Sequence, residues 1–175
     1  MEAAIIVNRL NKTTSHSWLC GTLLAVLLFP VSPRSVAEQT QEPAEATSTE
    51  SAIEVYKSAW CGCCKDWVTH LQAHGFETRV KELDDVSPIK AKAGLPPALA
   101  SCHTAFINGY VIEGHVPAQD IRRLLRERPA IKGLAVPGMP AGKNVPGMEV
   151  NNRDAKFDIL AIDSQGHTKV WQHYE

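Results

Sequence analysis

What this chain lacks narrows its chemistry before any motif is read. Neither charge dominates: 18 basic and 19 acidic residues leave a formal net charge of −1, so there is no basic excess to neutralise a nucleic-acid backbone. No glycine-rich phosphate loop, serine nucleophile elbow or paired-carboxylate signature occurs. The one long apolar run, from Trp18 to Phe29, is about a dozen residues, short of the roughly 20 that cross a bilayer. Cysteine is sparse, five in 175 residues, and unevenly placed. With 44% hydrophobic and 21% charged residues, the composition suits one modest globular domain.

The apolar run follows Arg9 and Lys12 and gives way to Ser35-Val36-Ala37, small at the positions that precede cleavage before Glu38. Basic start, short apolar core and small-residue site describe a secretory signal peptide over residues 1–37, in preference to an uncleaved anchor. Cys20 has no lipobox-like flank and leaves with the leader. Residues 38–51 are polar and acidic without periodicity and read as a disordered tether. The folded domain is expected over residues 52–175, carrying Cys61, Cys63, Cys64 and Cys102.

In an oxidising compartment four cysteines usually make disulfide staples. Here three of them crowd into Trp60-Cys61-Gly62-Cys63-Cys64-Lys65, where a bridge closes almost no loop. The preceding Ile53-Glu54-Val55-Tyr56-Lys57 alternates as a strand, and Trp67, Val68, Leu71 and His74 repeat as a helix face that stops at Gly75. The cysteines therefore sit where a strand end meets a helix N-terminus, a place that favours thiolates. The hexapeptide resembles the thioredoxin Trp-Cys-Gly-Pro-Cys-Lys motif, with Cys63 in place of proline. A dithiol exchanger, with Cys61 attacking and Cys64 resolving, needs no third sulfur; clustered thiolates suit a soft metal such as Cu(I).

Further along, Phe76–Glu82 reads as a second strand. A short helix through Pro88 to Ala93 is capped by Asp84 or Ser87. Thr104–Ile107 and Tyr110–Glu113 flank Asn108-Gly109, a two-residue hairpin turn. A helix follows Pro117 with Ile121, Leu124 and Leu125 on one face. The order βαβ(α)ββα is the plan of an α/β, thioredoxin-like mixed sheet flanked by helices. Gly133–Pro140 and Pro146-Gly147-Met148 form a Pro/Gly/Met loop, and Phe157–Ile162 with Lys169–Tyr174 form a C-terminal β-hairpin.

The remaining donors each have two readings. Cys102 stands where thioredoxin-like folds place a proline facing the cysteine turn, so it is a fourth sulfur ligand or a buried packing residue. His103, its neighbour in a strand, should face the other way; it is a ligand reached through loop distortion or a satisfied surface histidine. His115, near the sheet edge, is a ligand, a neighbour of one, or a cap for the Pro117 helix. Met139 and Met148, repeated in a Pro-Gly-Met frame, are loop packing or thioether donors for Cu(I). C-x-C-C with one distant cysteine matches neither the paired spacing of zinc sites nor ferredoxin patterns.

Cys61-Gly62-Cys63-Cys64, Ser101-Cys102-His103-Thr104, Gly109–Ala118, Gly133–Pro140 and Pro146-Gly147-Met148 together resemble the family catalogued as domain of unknown function 411. Its members include exported copper-resistance proteins of the CopG type. The resemblance runs over about residues 53 to 175 and implies a thioredoxin-like domain binding copper through the C-x-C-C and Cys-His motifs in the periplasm. On that expectation Cys61, Cys63, Cys64 and Cys102 hold Cu(I), as more than one ion, with His103 a further metal donor of the Cys-His motif and His115, Met139 and Met148 closing the site or guiding copper in. Interconversion of Cu(I) and Cu(II) and exchange with other periplasmic copper-handling proteins are further expectations. The leader is tested by N-terminal sequencing of the exported protein, which is expected to begin at Glu38; a chain retaining Met1 to Ala37 refutes cleavage.

Overall fold

The computed structural model describes residues 51–175; the leader, Cys20 and the tether to residue 50 lie outside the described residues. Among these, no helix is long and apolar enough to cross a membrane. Strand β1 (Ile53–Lys57) turns alternate residues inward, with Ile53 and Val55 fully buried. Helix α1 (Gly62–Ala73) starts at Cys61, whose sulfur accepts the Cys64 N–H in the role of an N-cap oxygen. It ends at His74 and Gly75, where φ of +81° suits only glycine comfortably.

Strand β2 is Thr78–Glu82, two residues shorter at its start than the pattern suggests, because Phe76 turns into the core. Helix α2 (Ser87–Lys92) has Val86 as its N-cap with no side-chain cap. The carboxylate of Asp85, rather than Asp84 or Ser87, accepts the Ser87 N–H. A 3-10 turn over Pro97–Leu99 leads to β3 (His103–Ile107) and β4 (Tyr110–Glu113). Between them Asn108 and Gly109 both have positive φ, 46° and 84°, as a two-residue type I′ turn requires. Helix α3 (Ala118–Glu127) takes Pro117 as its N-cap and buries Ile121, Leu124 and Leu125.

Gly133–Ala135, expected within a loop, forms a short strand β5. The C-terminal hairpin, β6 (Phe157–Ile162) and β7 (Thr168–Tyr174), extends the sheet beyond it. Strand order is β2-β1-β3-β4-β5-β6-β7, parallel at β1–β2 and β4–β5 and antiparallel elsewhere. It is the expected mixed α/β sheet, consistent with the thioredoxin-like plan.

Two apolar clusters mark the sheet's two faces. Trp67, Val68 and Leu71 of α1 and Ile121 and Leu124 of α3 share one core with Val55, Ile112, Leu134 and Ala161. Leu95 and Leu99 meet Ala135 and Ile162 in the other. Adjacent strand residues Leu134 and Ala135, and likewise Ala161 and Ile162, thus fall in different clusters, as the two-residue strand period demands. α1 and α3 consequently lie on one face, with the cysteine-bearing start of α1 close to the ends of β3 and β4.

The β4–β5 junction depends on Gly133, where an added Cβ would meet the Val111 carbonyl oxygen at 1.8 Å. Gly133→Ala is expected to cost about 1–3 kcal/mol through overpacking, read as a melting temperature lower by several degrees in a calorimetric scan. An unchanged melting temperature would show that β5 is loosely held.

Candidate metal centre

Cys61, Cys63 and Cys64 lie at the start of α1, and Cys102 lies in the bend just before β3. Their four sulfurs lie within 4.8 Å of one another. In this form Cys61 and Cys64 share a disulfide, while Cys63 and Cys102 are free thiols. Cys63 Sγ stands 3.5 Å from Cys61 Sγ. The bridge spans three positions of one helical turn and so staples nothing distant. Its reduction, by two electrons and two protons, would leave four thiols in one pocket.

A second donor group overlaps the first: Cys102, His103 and His115 also lie within 4.8 Å of one another through their ligating atoms. His103 Nδ1 is 3.3 Å and His115 Nε2 is 3.1 Å from Cys102 Sγ. His103 is neither on the surface nor turned away from Cys102. It is completely buried, against the Trp67 ring with centroids 4.3 Å apart. The strand alternation expected to separate the two side chains does not reach Cys102, because β3 begins only at His103. His115 is also fully buried. β4, which leads to it, runs between β3 and β5 and not along an edge.

Hydrogen bonding fixes the chemistry of His115. Its Nδ1 is 2.7 Å from the Pro146 carbonyl, an acceptor only, so the proton is on Nδ1 and the Nε2 lone pair faces Cys102. Burial holds the imidazoles of His103 and His115 below the usual histidine range, His103 far below and further depressed by His115 and Lys90. Both rings are therefore neutral at neutral pH and free to ligate. His103 Nε2 is buried with no hydrogen-bond partner. Burial pushes the Cys102 thiol up to about 11, so metal-free Cys102 keeps its proton and a metal ion must displace it.

The two Pro-Gly-Met turns lie against this centre. Ser101 Oγ donates to the Gly138 carbonyl at 2.5 Å, tying the first turn to the residue before Cys102. Gly147 of the second sits so close to α1 that an added Cβ would meet the Cys63 carbonyl and the Trp67 amide nitrogen, each at 2.6 Å. Met139 is 60% exposed, whereas Met148 is half-buried against the core. His70 is half-buried and accepts the Ala118 N–H at 3.2 Å. With His74 it borders a cleft of about 420 Å³ that includes Pro146 but none of the sulfurs. Spacing gave no reason to single out Lys90 or Glu113, which form a buried ion pair of 2.5 Å behind Cys102; the one available signal was a charged residue closing an otherwise apolar strand.

Comparison with known proteins gives the family. Two solved structures, named copper resistance protein copG in forms 1 and 2, are each 44% identical to this chain with a TM-score of 0.67. Each match covers 71% of this chain and 98% of that structure. A family model described as protein of unknown function, DUF411, matches residues 99–150. The chain belongs to the DUF411 family. The part matched by the DUF411 model contains Cys102, His103, His115, Met139 and Met148 but not the cysteine turn at α1. No curated protein matches.

Gly147→Ala, at φ +78° and without room for a Cβ, is expected to lift the second Pro-Gly-Met turn and loosen the Pro146–His115 hydrogen bond. The cost is about 1–3 kcal/mol. A changed His115 ring resonance in nitrogen-correlated NMR checks the coupling; lowered stability with an unchanged His115 signal refutes it.

Proposed function

We propose that this chain binds copper as Cu(I) in copper resistance, after export to the periplasm. The observation that carries the reading is the sharing of Cys102 between a four-sulfur group and a Cys-His-His group. Soft thiolates and neutral imidazoles fit Cu(I), and a thiolate common to two groups supports more than one ion. In the reduced protein Cys61, Cys63, Cys64 and Cys102 would hold copper, with His103 and His115 beside Cys102. Met148, half-buried beneath its turn, and Met139, exposed on the other, are the thioether candidates that close the site or guide copper in.

The family relatives' names support copper resistance as the setting, and exchange with other periplasmic copper-handling proteins follows from it. The Cys61–Cys64 disulfide provides a two-electron couple, which supports a copper redox role. Purified protein that shows no copper-dependent electron transfer would remove that role. The same disulfide favours a second reading, a thiol-disulfide oxidoreductase with Cys61 attacking and Cys64 resolving. Against it stand Cys63 inside the motif and Cys102 where an exchanger has proline.

Native mass spectrometry of the reduced protein, titrated anaerobically with Cu(I), separates the two. The wild type is expected to retain more than one copper. Cys63→Ser and Cys102→Ser should each weaken uptake at least tenfold (about 1.4 kcal/mol), with the greater loss at Cys102, the sulfur common to both groups. No retained copper, together with insulin reduction that survives Cys63→Ser, would favour the exchanger.

A further inference from the structure

Glu113 is fully buried at the end of β4, two residues before His115. Its Oε1 accepts the Ser101 backbone N–H at 2.5 Å and Lys90 Nζ at 2.5 Å, and its Oε2 accepts the Thr104 hydroxyl at 2.6 Å. Lys90 Nζ also donates to Thr104 Oγ1 at 2.8 Å. Ser101 and Thr104 bracket Cys102 and His103. One carboxylate thus grips both flanks of the Cys-His dipeptide from the strand that leads to His115.

Stability alone is a poor reason for this arrangement. Buried ion pairs exchange hydration for attraction at little net gain, and apolar residues of similar volume often serve as well. Burial of charge with every acceptor directed at one short segment points instead to geometric control. Gly114 reinforces it: an added Cβ there would meet Ser101 Oγ at 2.8 Å and the Val136 carbonyl at 2.5 Å, so the strand end is pressed onto the same segment.

We infer that Glu113, locked by Lys90, is the positioning residue for the Cys102–His103 donor pair, holding both side chains toward His115 and the cysteine turn. The inference rests on the copper reading for what the pair binds, but not for how the pair is held. Glu113 is not expected to touch the ion. Its action runs through the backbone of residues 101–104.

The test compares wild type with Lys90→Met/Glu113→Leu, which removes both charges together and leaves neither stranded. In the reduced, metal-free protein, hydrogen exchange at the Ser101 amide is expected to accelerate at least tenfold, with Val55 and Leu124 amides unchanged. Cu(I) affinity, measured by competition with a chromophoric chelator, should fall at least tenfold in this variant. It should fall no further when the same substitutions are made in a Cys102→Ser background.

Unchanged exchange at residue 101 overturns the inference, as does an equal loss of affinity with and without Cys102, which would mark a general scaffold effect. Should the double variant fail to fold, Thr104→Val cuts one grip, leaves the ion pair, and carries the same comparison. If the wild type binds no Cu(I), the copper reading fails by itself, and the exchange measurement still decides whether Glu113 holds the pair.

Discussion

The indole N–H of Trp67 donates to the Val116 carbonyl at 2.9 Å, and the rest of the centre depends on that bond. It joins α1, which carries Cys61, Cys63 and Cys64, to the residue after His115. The same ring packs on His103, and the Trp67 amide nitrogen lies directly under Gly147. A fully buried indole contributes a large apolar area and needs a partner for its one donor. Here that partner lies in the segment that must be brought to the cysteines. Burial of one side chain and assembly of the centre are the same event.

Around Trp67 the polar groups are arranged to leave little net charge in the interior. His103 and His115 are neutral through desolvation, and the charge of Glu113 is balanced by Lys90. Burying charge without a partner would cost several kcal/mol, and a buried thiol follows the same rule. Cys102 shows the consequence, with its thiol held protonated by burial. Cys61 and Cys64 cannot serve as thiolates while bridged, so only the reduced chain offers all four sulfurs as donors.

Much of the architecture was legible because it follows from local rules. The alternation of Ile53–Lys57, the Asn108-Gly109 turn and the apolar face of α3 each have one good solution, and the chain adopts it. Elements decided by distant contacts were not legible. Gly133–Ala135 is too short to show a period and becomes a strand only because β4 and β6 lie on either side of it. Strand alternation turns His103 away from Cys102 only if both lie in the strand, and Cys102 precedes it. The sequence alone puts His115 near an edge, because it does not show that β5 pairs beyond β4.

Sequence by itself determined the donor chemistry: three sulfurs in one turn, a Cys-His pair, and a repeated Pro-Gly-Met. These are properties of residue type and spacing, and no folding can supply them. Tertiary structure decided which donors meet. It closed the distance between positions 61 and 102, set the tautomer of His115 through a carbonyl 31 residues away in sequence, and put a carboxylate behind Cys102. Those outcomes depend on sheet order and on the packing of α1 against β3 and β4, and a linear pattern contains neither.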